Sequence, residues 1–200
     1  TPLAGGKMAY IHDFKLRITD QTDPETIIAR APVIETALSH VLDEKAENDA
    51  FNQLIITAAL DPEPVIWLRA WFRYLRQTGV TYGIAGVVSA LSRNAGVTRN
   101  IIDLFIVSHD PEFRGDRAKE TAKFDKAVDN ALIDVSSVDE DRILRLMRAV
   151  VRGTLRTNAF ASAAAEAIAF KLDSAKIPGL PAPLPWREVF VYSPRVEGIH

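Results

Sequence analysis

Apolar positions recur at helical spacing through most of the chain and at strand spacing only near its two ends. Tyr10 to Ile18 alternates in imperfect phase, with Ile11, Asp13 and Lys15 set against Phe14, Leu16 and Ile18, and this predicts a strand. Asp23-Pro24-Glu25 then reads as a helix start, with Asp as N-cap and Pro at the first helical position. Ile27, Ile28, Val33, Ile34, Leu38, Val41 and Leu42 follow at helical spacing, with a break or kink expected at Pro32. A second helix is expected over Glu47 to Leu60.

Asp61-Pro62 repeats the start signal. Beyond it Val65, Leu68, Trp71, Phe72 and Leu75 form one face, and Arg69, Arg73 and Arg76 another. Gly79 is the expected C-cap. Tyr82 to Ser92 reads as a small-residue helix stopped at Gly96, and Thr98 to Val107 as a helix ended by His109-Asp110-Pro111. Residues 113 to 133 are helix-prone, with Phe124, Val128 and Leu132 as a thin apolar stripe. Ser137-x-x-Glu140 is a capping box ahead of an amphipathic helix from Asp139 to about Asn158. Ala167 to Leu172 could form a strand. Ile177 to Pro185 holds four prolines and reads as a stiff, extended connector. Arg187 to Tyr192 is a terminal strand.

The expected fold class is therefore mainly α: a multi-helix region with a short N-terminal strand and a C-terminal strand pair, at the α+β margin. The segments divide into 1–22, which holds the N-terminal strand; 23–135, a helical domain; and 136–200, a helix, connector and strands.

Composition changes this picture little. The 200 residues are 48% hydrophobic and 25% charged, enough to bury a real core. A formal net charge of −2 gives no electrostatic case for nucleic acid or an anionic membrane. Cysteine is absent, which excludes disulfides and thiolate metal sites and fits a cytoplasmic location. No stretch reaches the ~20 apolar residues of a membrane span. The opening TPLAGGKMAY lacks an initiator Met, so processing or excision from something longer is expected.

Candidate chemistry is sparse. Gly79, Gly83 and Gly86 do not follow a strand or match a dinucleotide or phosphate loop, and read better as small residues for close helix packing. None of the four histidines, His12, His40, His109 and His200, stands in a metal-ligand pair. His40 has Asp43 and Glu44 within one turn, a spacing for a carboxylate-oriented base, though a solvated helix pair is the better account. His109 stands at a helix end, where a cation suits the dipole. Arg142, Arg145, Arg148, Arg152 and Arg156 would occupy an arc of roughly 120° on the last helix, opposite Ile143, Met147, Val150, Val151 and Leu155. That arc is either a solvated face or a contact surface for an acidic partner or neighbouring domain. It is the candidate interface; no catalytic, cofactor or metal residue is assigned.

Three segments carry a family resemblance. KLDSAKIPGLPAPLPWREVFVYSPRVEGIH, from Lys171, and DEDRILRLMRAVVRGTLRTN, from Asp139, closely resemble segments of the large, bacterial-type NAD-specific glutamate dehydrogenases. WLRAWFRYLRQTGVTYGIAGVVSALSRNAGVTRNIIDLFIVSHDPEF, from Trp67, resembles them more loosely. Two departures stand out: Ala159 precedes Phe160 where the family carries bulky aromatics, and residues 114–135 match poorly.

The resemblance implies a non-catalytic helical linker region of an enzyme that oxidises L-glutamate to 2-oxoglutarate and ammonium with NAD. It implies that residues 1–22 hold the last strand of a preceding regulatory β-α module. It implies that the catalytic lysines and the NAD-binding domain lie beyond His200, along with the sheet to which the terminal strand belongs. NAD would be a cofactor of the parent only. Partners would be the parent's own regulatory and catalytic domains and further copies of the parent. Two other functions fit the residues: a stand-alone helical module docking through the arginine face, and a small enzyme using His40 with Asp43 or Glu44.

Overall fold

The computed structural model describes residues 24–200 together with Gly6, Tyr10 and Asp13. Those three residues apart, the strand expected between Tyr10 and Ile18 and the 1–22 segment that holds it lie outside the described residues. Among the described residues eight α-helices precede the strands: α1 (Pro24–Ala29), α2 (Ala31–Leu42), α3 (Leu54–Thr57), α4 (Pro62–Gln77), α5 (Ile84–Arg93), α6 (Ala95–His109), α7 (Arg117–Leu132) and α8 (Val138–Gly153). A small antiparallel sheet closes the chain: β1 (Thr154–Thr157), β2 (Ile168–Leu172), β3 (Glu188–Tyr192) and β4 (Glu197–Ile199), paired in the order β1-β2-β3-β4. The mainly α architecture with terminal strands is as expected.

Several boundaries fall elsewhere, each for a local reason. The α1–α2 break is at Arg30, and Pro32 sits in the first turn of α2, where its missing N–H has no partner to lose. The helix expected over Glu47–Leu60 is a 3₁₀ turn (Ala50–Gln53) followed by the single turn of α3. The Asp49 carboxylate caps that turn by accepting from the Phe51 amide at 3.0 Å, and Ala59 ends the segment at φ +53°. Gly96 is not a stop but lies inside α6; the break is at Asn94, whose amide donates to the Ala90 carbonyl at 2.9 Å and to Glu140 at 2.9 Å. Gly79 follows α4 at φ +93°, as a C-terminal glycine should.

The largest correction concerns α8. Ser137 caps it, but it ends at Gly153 rather than near Asn158, and Thr154–Thr157 turns into β1 against β2. A side chain at Gly153 would place its Cβ 2.6 Å from Cδ1 of buried Ile177. The expected strand pair is thus part of a four-stranded sheet. The terminal strand β3 has neighbours on both sides within this chain, β2 and β4.

One face of the sheet is core. Ile168, Phe170 and Leu172 of β2 and Phe190 and Tyr192 of β3 are buried. They pack on the helices through aromatic contacts: Tyr74 to Phe190 at 5.6 Å and Phe105 to Phe170 at 6.1 Å between ring centres. Trp71 and Phe105 are fully enclosed at the middle, edge to face at 5.1 Å. Burying each such side chain contributes about 1.5–3 kcal/mol. α4 carries the core on nearly all sides, whereas α1 and α2 have no fully buried residue. No helix among the described residues is long and apolar enough to cross a membrane.

Candidate functional site

Two polar networks join α4 to its surroundings. The first centres on Arg69, which is 1% exposed. Its Nε and Nη2 donate to the two carboxylate oxygens of Asp49, each at 2.8 Å, and Nη2 also donates to Asn52 Oδ1 at 2.9 Å. Glu47 lies 3.3 Å from Nε and also accepts from Arg73 at 3.0 Å. The cluster sits under Tyr192 of β3, whose phenol is pushed far above its ordinary range by burial; Arg69 opposes that shift, while Glu47 adds to it.

The second network is deeper. Tyr74 Oη donates to Glu188 Oε2 at 2.7 Å, and Ser174 Oγ approaches the same oxygen at 3.3 Å. Burial, and then the hydrogen bond to Glu188, raise the Tyr74 phenol well above its ordinary value, so it stays a donor. Beside it Arg187 donates to Asp173 at 2.9 Å. Helix α4 is therefore bonded to β3 as well as packed on it.

Helical spacing groups Arg69 with Arg73 and Arg76, yet only Arg69 is fully enclosed. The sequence held a signal. At about 100° per residue Arg69 stands about 40° from Val65, against the apolar arc, and Trp67 and Tyr74 extend the apolar surface round the back of the helix.

The five arginines of the candidate interface do not form one face. Arg148 is buried and turned toward α7, where it donates to Asp125 at 2.8 Å and to both oxygens of Asp129. The hydrogen bond from Arg148 holds the Asp129 carboxyl below its ordinary range. Arg145 pairs with Asp141 at 2.8 Å, and Arg152 stands 3.7 Å from Asp125. Arg142, Arg145 and Arg152 are exposed on α8, while Arg156 belongs to β1 because the helix has already ended.

The histidines separate as well. His12 lies outside the described residues, and His200 follows β4. Near His40, Asp43 pairs with Lys45 at 3.1 Å and Glu44 faces Arg195 at 3.6 Å, so both carboxylates have other partners. His109 is at a helix end but is not its cation. Burial, reinforced by the Arg117 charge, lowers its pKa from 6.5 to about 4, leaving it neutral near pH 7. Arg117 takes the role instead, donating to the Val107 and Asp110 carbonyls at the end of α6.

Gly83 and Gly86 have open space where a Cβ would be, so close packing is not their reason; the position that requires glycine for contact is Gly153. The run Gly79–Gly86 leads from helix α4 to helix α5, and the sheet is antiparallel. These residues do not fit a dinucleotide site, which needs a strand-to-helix turn. Among the described residues no three His, Cys, Asp or Glu side chains gather as a metal site.

Comparison with known proteins matches two parts of the chain separately. The family described as "Glutamate dehydrogenase, helical motif 3" matches residues 46–111. The family described as "Bacterial NAD-glutamate dehydrogenase, catalytic domain" matches residues 127–200. Curated relatives include NAD-specific glutamate dehydrogenases from Pseudomonas aeruginosa (34% identical, 98% of this chain, 12% of the relative), Halomonas elongata (35%, 96%, 12%) and Mycobacterium tuberculosis (36%, 98%, 13%). The chain thus spans about an eighth of the length of these relatives, 12–13%.

Proposed function

Because the chain belongs to the bacterial NAD-glutamate dehydrogenase family, we propose that it is a region of a large enzyme of that kind. The parent would oxidise L-glutamate with NAD and water to 2-oxoglutarate and ammonium, forming NADH. NAD would be bound by the parent outside these residues. This region would be non-catalytic. Its task would be to hold the helical motif and the first strands of the catalytic domain in a fixed relation, in a cytoplasmic, oligomeric parent.

One observation carries this reading. Tyr74, within the segment matched to the helical motif, is hydrogen-bonded to Glu188, within the segment matched to the catalytic domain. A buried bond of this kind, beside the Tyr74–Phe190 contact, makes the two segments share one core.

The test is an assay of glutamate-dependent NADH formation by the 200-residue chain and by the full-length parent. The parent is expected to be active and the chain inactive. NADH formed by the chain alone would overturn the non-catalytic assignment, and an inactive parent would overturn the assignment of the reaction.

A further inference from the structure

A concave cavity of about 620 Å³ lies where the end of α6, the start of α7, the end of α8 and the turn at Ser174–Lys176 meet. Its size is in the range of small-molecule sites. Three cations line it, Arg117, Arg152 and Lys176, against one carboxylate, Asp125. Subtracting one from three leaves two positive charges. That carboxylate is moreover held by Arg148 at 2.7 Å. Lys176 is exposed, and Arg152 reaches Asp125 only at 3.7 Å, so both keep donors for another group. His109 also lines the cavity. It leans on the Val151 carbonyl, and its Nε2 is buried without a well-formed hydrogen bond. A concave, positively charged wall with unspent donors attracts a compact anion carrying two negative charges.

We infer that this cavity binds a small dianion, a dicarboxylate or a phosphate, with Arg152 and Lys176 as its charged clamp and Thr121 and His109 on its walls. The ligand would bridge α6, on the helical-motif side, and α8 with the turn that follows β2, on the catalytic-domain side. The inference stands independently of the proposed reaction, because it concerns a binding site in this chain alone.

The test is calorimetric titration of the 200-residue chain with succinate and, separately, with inorganic phosphate, in low-chloride buffer. Saturable one-to-one binding of at least one of them is expected, succinate reporting a carboxylate site and phosphate a phosphate site. Arg152→Gln and Lys176→Gln are each expected to weaken it about tenfold, the loss of one charge-assisted contact. Both side chains are exposed, so the fold should survive, which circular dichroism checks. Arg142→Gln, on the same helix but outside the cavity, is expected to change nothing. The site is refuted if neither anion saturates, if both cavity variants bind as the parent chain does, or if Arg142→Gln weakens binding equally.

Discussion

Tyr74 and Glu188 lie 114 positions apart in the chain and share a buried hydrogen bond of 2.7 Å. It is the deepest polar link between α4 and the sheet, and it lies between groups that would cost free energy if left unpaired.

Tyr74→Phe removes the donor and leaves the Glu188 carboxylate buried, with Ser174 at 3.3 Å as its remaining side-chain partner. A loss of about 1–3 kcal/mol is expected in urea unfolding. Tyr74→Phe combined with Glu188→Gln should cost less than the sum of the two single changes. Strict additivity would show that the bond carries no coupling.

Arg69 is the buried centre of the other network. Arg69→Met leaves Asp49 uncompensated and Glu47 with Arg73 as its remaining cation, and is expected to cost about 3–5 kcal/mol. Arg69→Lys should recover only part of this, since an ammonium cannot make two parallel bonds to one carboxylate. Arg73→Gln, nearer to water, should cost less than about 1 kcal/mol. Equal urea midpoints for the Arg69 and Arg73 variants would contradict the difference in burial.

On α8 the arginines should divide in the same way. Arg148→Gln breaks the link to Asp125 and Asp129 of α7 and is expected to cost about 1.5–3 kcal/mol. Arg142→Gln should stay within about 0.5 kcal/mol. If the two variants unfold alike, Arg148 does not tie α7 to α8.

His109 makes stability depend on pH. Its pKa is lowered from 6.5 in the unfolded chain to about 4 in the folded one, so between these values the unfolded chain binds a proton that the folded chain refuses. Stability is therefore lost as pH falls below 6.5. The loss from this group amounts to about 1–2 kcal/mol by pH 5. His109→Gln should remove that part of the slope. Urea midpoints measured at neutral pH and at about pH 5 decide it: identical slopes in both proteins would rule out a neutral, buried His109.

Much of the helical frame was legible from local pattern. The starts at Asp61-Pro62 and Ser137, the end at His109 and the stripe of Val128 and Leu132 all lie where spacing and capping residues put them. The misplaced boundaries share a cause. Gly96 resembles a stop and Asn158 a helix end only if neighbours are ignored. The actual breaks are set by Asn94 reaching Glu140, and by Gly153 fitting under Ile177. The candidate interface suffered likewise, because helical phase can group five arginines but cannot say which one meets a carboxylate.

By itself, the sequence determined a mainly helical chain, a terminal run of strands and a likeness to the bacterial NAD-specific glutamate dehydrogenases. These rest on contacts three or four positions apart, on capping and on segment likeness, all read along one dimension. The tertiary structure alone decided that Arg69, Arg148 and Glu188 are interior, that α8 yields to β1, and that the last strands pair in one sheet of four. The physical reason is separation. The partners that permit those charges to be buried stand 20, 23 and 114 residues away. A buried charge is stable only where the fold brings such a partner within hydrogen-bond reach.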